Sequence, residues 1–150
     1  MKKLLSCILC LCLLWYAAVS AETVNDGSFL LKIRDESGLD ITYLRFDFYA
    51  GGEYRGYVCS TPDEGEDFYR CPYSTDHPEE LKDLRIEVSY GKSDLDPEEA
   101  ILKVMKGEPG EEHPLQTLDL IPECGKIYEL RLIPDGQDGW QLTAANENSK

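Results

Sequence analysis

Histidine is almost missing from this chain: His77 and His113 are the only two in 150 residues. Each stands beside a proline in a polar stretch, a poor platform for a catalytic base, because loop positions hold such groups only with a supporting shell. A Cys–His pair drawn from Cys124 and either histidine meets the same objection. The G-x-S-x-G elbow and H-E-x-x-H are absent, and no C-x-x-C occurs beyond residue 21. The common frameworks of serine hydrolases and zinc sites are thereby excluded. No catalytic residue, cofactor or metal is assigned. Basic side chains are scarce too, with 15 Lys and Arg against 29 Asp and Glu and a formal net charge of −14. Nucleic acid is excluded as a partner, since its binding rests on Lys and Arg neutralising phosphates. Docking on anionic lipid is excluded on the same ground.

Long apolar runs are confined to one place. Residues 4–19 are hydrophobic apart from Ser6 and three cysteines, they come after Met1, Lys2 and Lys3, and Val19, Ser20 and Ala21 end them with small side chains. Positive start, apolar middle and small-residue site define a secretory signal peptide, residues 1–21. The run falls short of the ~20 apolar residues of a spanning helix, so no membrane insertion of the mature chain is expected. The expected location is secreted or extracytoplasmic, meaning the periplasm or cell-wall space in a bacterium. Removing Lys2 and Lys3 takes the basic count from 15 to 13 against 29 acids, a formal charge of −16 on 129 residues. Such a length suits one domain, read as residues 22–143, with a tail at 144–150 that has nothing to bury and is expected to be mobile.

Cys7, Cys10 and Cys12 leave with the signal segment; Cys59, Cys71 and Cys124 remain. Cys59 and Cys71 flank a polar stretch that reads as a hairpin loop, so a disulfide between them is expected. Closing so short a loop contributes about 3 kcal/mol on the chain-entropy model. Cys124 is then left free or intermolecular.

Strand signals dominate residues 22–143. Residues 29–34 form a first β segment. Residues 41–50 alternate, with Leu44, Phe46, Phe48 and Ala50 on one side and Tyr43, Arg45, Asp47 and Tyr49 on the other. Gly51 and Gly52 mark a tight hairpin into residues 54–60. Residues 67–73 are expected to pair with that strand across the acidic turn at 62–66. Residues 84–90, 115–121, 127–133 and 140–143 complete the set, and residues 108–114 read as a polar connection. One helix is expected near 97–106: Asp96 is a cap, Pro97 suits the first position, and Ile101, Val104 and Met105 recur at helical spacing. The fold class is therefore mainly all-β, a single antiparallel β-sandwich of seven or eight strands in an immunoglobulin-like or transthyretin-like arrangement, with one short helix.

Carboxylates invite a calcium reading at Asp63, Glu64, Glu66 and Asp67, at Asp94, Asp96 and Glu98, and at Asp135 and Asp138. None fits the EF-hand pattern, and they read as a solvated face, a helix start and a turn. Tyrosine gives the more specific signal. Tyr43 and Tyr49 fall on the outward side of their strand with Arg45 and Asp47, and the Gly51–Gly52 turn brings Tyr54 back beside Tyr49. A ring with an apolar body and a polar tip, set among charged groups, suits a peptide or a sugar. Tyr43, Arg45, Asp47, Tyr49 and Tyr54 are the candidate ligand-binding residues, expected to lie together and partly exposed. The function expected is a non-enzymatic binding or interaction domain for an extracellular protein or polysaccharide, its oligomeric state open. The alternatives are a small secreted hydrolase using a carboxylate pair, or an acidic inhibitor or immunity-type partner protein.

Overall fold

The alternation in residues 41–50 becomes strand β2 (Tyr43–Ala50), whose Leu44, Phe46, Phe48 and Ala50 are at most 2% exposed. The computed structural model describes residues 27–62, 65–108, 110–118 and 120–145. The signal segment and residues 146–150 of the expected tail lie outside the described residues. Around β2 stand β1 (Ser28–Asp35), β3 (Glu53–Ser60), β4 (Phe68–Ser74), β5 (Leu84–Lys92), β6 (Glu111–Leu118), β7 (Ile127–Pro134) and β8 (Trp140–Ala144). They form two four-stranded sheets, A in the order β4-β1-β7-β8 and B in the order β3-β2-β5-β6.

The two sheets pack face to face as a β-sandwich. Phe29, Leu31, Ile33, Tyr69 and Leu132 from sheet A meet Leu44, Phe46, Phe48, Ile86 and Val88 from sheet B in one core. Full burial of each such side chain stabilises by about 1.5–3 kcal/mol. Tyr73 ties the layers, its ring 4.6 Å from Phe48 across the gap and 5.2 Å from Phe29 beside it. Gly51 and Gly52 turn with φ of 59° and 83°, the conformation a two-residue hairpin needs and a side chain resists.

Several sequence expectations are corrected. The sheets are antiparallel except at β1–β7, which pair in parallel with Leu31 beside Tyr128. β4 does not pair with β3; it crosses to sheet A and pairs with β1, Cys71 lying opposite Leu31. The Ser60 hydroxyl accepts from the Arg70 amide at 2.9 Å and fastens this crossing. Residues 111–114 belong to β6 rather than to a connection. Pro114 is tolerated there because β6 is an edge strand and the register shifts beside it, at Val88 and Ser89. Ala144 closes β8, and the Ala145 amide bonds to the Glu129 carbonyl, so order extends past the expected start of the tail. A 3-10 turn, Pro78–Asp83, is an addition to the expected elements; it buries Leu81.

The Cys59–Cys71 disulfide is absent, and Cys59, Cys71 and Cys124 are all free thiols. The cause is the two-residue period of the strands. Cys59 lies opposite Arg45 and so points to the outward side of sheet B, while Cys71 sits in the core on the inner side of sheet A. Burial pushes the Cys59 thiol up to about 11 and the Cys71 thiol higher still. With a thiol reagent at neutral pH, Cys124 is expected to label rapidly, Cys59 slowly and Cys71 only on unfolding. Peptide mapping of the labelled protein checks the order, and equal rates at Cys71 and Cys124 would contradict this burial.

Candidate functional site

The outward side of sheet B carries the expected residues and several others. In register, Arg45 stands between Cys59 and Ser89, Asp47 between Tyr57 and Glu87, and Tyr49 between Tyr54 and Arg85. Arg45 is the centre. Its Nε and Nη2 donate to the two oxygens of Asp47, each at 2.9 Å, and its Nη1 lies 3.4 Å from both oxygens of Glu112. Its guanidinium also rests 4.4 Å from the centre of the Tyr57 ring. The bonds it donates to Asp47 hold the guanidinium protonated even more firmly than usual, against the opposing effect of burial. A planar fork shared between two carboxylates and laid on a ring is a fixed element, not a mobile surface arginine.

Two tyrosine hydroxyls close the network. Tyr54 donates to Asp47 Oδ1 at 3.0 Å, and Tyr43 donates to Glu112 Oε1 at 2.9 Å. The Tyr49 and Tyr54 rings lie 5.3 Å apart at 59°, the expected cross-strand pair. Arg85 covers the far side of Tyr49, 4.5 Å from its centroid, and bridges to Glu87 at 3.1 Å. Tyr54 is 51% exposed and Tyr57 36%. Beside them a depression of about 230 Å³ is lined by Asp47, Glu87, Ser89, Glu112 and Pro114.

Tyr43 does not share this exposure. Helix α1 (Pro97–Met105) lies over it, with Ala100 and Val104, one turn apart, packed on its ring in a small second core that includes Cys59 and Leu95. The helix starts as its sequence dictates: Asp96 accepts from the Glu98 amide at 3.0 Å and Pro97 occupies the first position. Burial first, and the Glu112 carboxylate next, raise the Tyr43 hydroxyl well above its ordinary range. Tyr43 is therefore a support beneath the face, reaching it only through Glu112. The remaining four candidates, Arg45, Asp47, Tyr49 and Tyr54, are brought together.

Glu112 escapes a sequence reading because its segment resembles a connection, and Glu87 and Arg85 because nothing in the sequence says which strand lies beside β2. His77 contacts Glu79, while His113 contacts Glu111 and stacks on Tyr90 at 4.8 Å. Asp135 accepts from the Gln137 and Gly139 amides, a turn role. Asp63 and Glu64 of the acidic run lie outside the described residues, and Glu66 pairs with Arg70. Among the described residues, no group of three His, Cys, Asp or Glu side chains has metal-binding geometry. No protein-family model and no curated protein matches this sequence.

Proposed function

We propose that this chain is a non-enzymatic binding domain that works outside the cytoplasm, and that the open part of the sheet B face takes a peptide or sugar partner. The observation that carries the reading is the Tyr54–Asp47–Arg45–Glu112 network. One arginine engages both carboxylates and a hydroxyl holds Asp47 from the other side, while the Tyr54 and Tyr57 rings at its edge are substantially open. A surface already fixed in one arrangement loses little conformational freedom when a partner arrives. Tyrosine then supplies contact area with two torsions to immobilise and a hydroxyl for orientation. Both central carboxylates are engaged by Arg45, an arrangement suited to holding shape rather than to shuttling protons. The extracytoplasmic assignment rests on the charge, apolar run and small residues of the first 21 positions.

Binding of the mature chain to peptide and glycan arrays tests the proposal, with Tyr54→Ser as the comparison. Serine is expected to weaken captured binding about tenfold, while the melting temperature moves by less than about 4 °C. Loss of binding accompanied by a large fall in melting temperature would show the ring to be structural. Robust turnover of ester, glycoside or peptide substrates, abolished by substitution of Asp47 or Glu112, would instead establish the hydrolase reading.

A further inference from the structure

Each sheet has two edge strands, and an edge presents main-chain N–H and C=O groups with which another chain can pair. Three of the four edges are closed by the chain's own residues. On β4, Pro72 has no amide to donate, and the Arg70 amide is taken by the Ser60 hydroxyl at 2.9 Å. On β8, only five residues long, the Leu142 amide is taken by Gln116 Oε1 at 2.8 Å. On β6, Pro114 interrupts the donors and the register shifts beside it. Strand β3 is the exception. It holds no proline, and among the described residues its main-chain groups bond to β2 alone. Its register shifts between Phe48 and Tyr49, which leaves Arg55 unmatched and Gly56 at a φ of 133°. That bulge bends the strand, so residues 57–60 are its straight part.

We propose that an extended segment of a partner protein, bearing lysine or arginine, adds to β3 as a further strand of sheet B. This rests on the reading of sheet B as a binding face and narrows its partner from peptide or sugar to peptide. A sugar has no repeat of N–H and C=O groups at strand spacing with which to pair. Along residues 57–60 the side chains alternate, Tyr57 and Cys59 outward opposite Asp47 and Arg45, Val58 inward against the core. A lysine or arginine of the added strand, set beside Tyr57, lays its aliphatic stem on the ring and keeps its charge in water. Charge selects the basic occupant, because the chain has 29 acids against 15 bases. Glu53 opens the strand with its side chain 76% exposed, and Arg55, the one base on β3, is already engaged by Glu53 and Glu80. The same net charge of −14 opposes a second copy, which would bring two acidic chains edge to edge.

Fluorescence anisotropy of the mature chain with a labelled peptide alternating Lys and Val tests it. Binding is expected at low ionic strength, weakening as salt rises. N-methylation of alternate residues removes the donors along one edge of the peptide only. One of the two alternating N-methyl sets should weaken binding about tenfold, and the other should leave it unchanged. Hydrogen exchange at residues 57–60 should slow in the complex. Equal binding by both N-methylated sets, with Tyr54→Ser still weakening it, would overturn the edge and leave the face reading standing. Binding lost with one set but untouched by Tyr54→Ser would keep the edge and remove Tyr54 from the contact. No binding of the Lys–Val peptide, equal binding of a Glu–Val peptide, or self-association that the peptide reverses would each overturn the proposal.

Discussion

Gly91→Ala is expected to destabilise the domain by about 3 kcal/mol, at the upper end of what overpacking costs. Gly91 does not have a positive φ, so backbone strain contributes nothing here. The cost is steric. A Cβ at this position would lie 2.0 Å from Tyr43 Cζ and 2.2 Å from its Cε1. The ring cannot swing aside, since it is fully buried under Ala100 and Val104 and its hydroxyl is bonded to Glu112. Urea unfolding of the variant should show a lowered midpoint with an unchanged slope. In the double variant with Tyr43→Ala, the two costs should sum to less than their separate values, because the small side chain leaves room for the new methyl. Full additivity would mean that the two residues do not touch.

Arg45→Met ranks second, at about 2–3 kcal/mol. Methionine keeps the aliphatic packing and deletes the charge. Asp47 and Glu112, 18% and 24% exposed, then lose the cation that lies between them. Removing one partner of a well-buried ion pair costs about 3–5 kcal/mol; partial solvent access lowers the figure here. Tyr54 would lose the fixed acceptor that orients its hydroxyl. Binding at the sheet B face is therefore expected to fall along with stability, unlike the Tyr54→Ser case. Combining Arg45→Met with Asp47→Leu should recover part of the loss, and a melting temperature unmoved by Arg45→Met alone would show the network to be loose.

The strands and the helix are largely legible in the sequence because each rests on local physics. The period of two in residues 41–50 assigns Leu44, Phe46 and Phe48 to the core, and the cap at Asp96 with Pro97 begins the helix at its observed start. Which strand lies beside which is not legible. Nothing local says that β4 leaves β3 for β1, and that one crossing removes the disulfide. The Tyr49–Tyr54 pair is readable because a two-residue turn fixes register across it. Tyr43 departs from expectation for the opposite reason. Its outward direction is as the alternation requires, but a helix more than 50 residues later covers it, and the bare backbone of Gly91 makes the space its ring fills.

The parallel β1–β7 pair has a bearing on how the chain reaches this state. β1 is a central strand of sheet A, flanked by β4 and by β7, yet it begins at Ser28 and β7 begins at Ile127. Nearly the whole domain must therefore be available before β1 has both neighbours. Closing so long a segment carries an entropic cost before any contact rewards it, which places this topology among the slower folders. Until residue 127 arrives, one flank of β1 remains an open edge bearing Leu30, Leu31 and Ile33. Lys32 and Arg34, between and beyond those apolar residues, put charge on that edge and discourage wrong pairing while the chain waits.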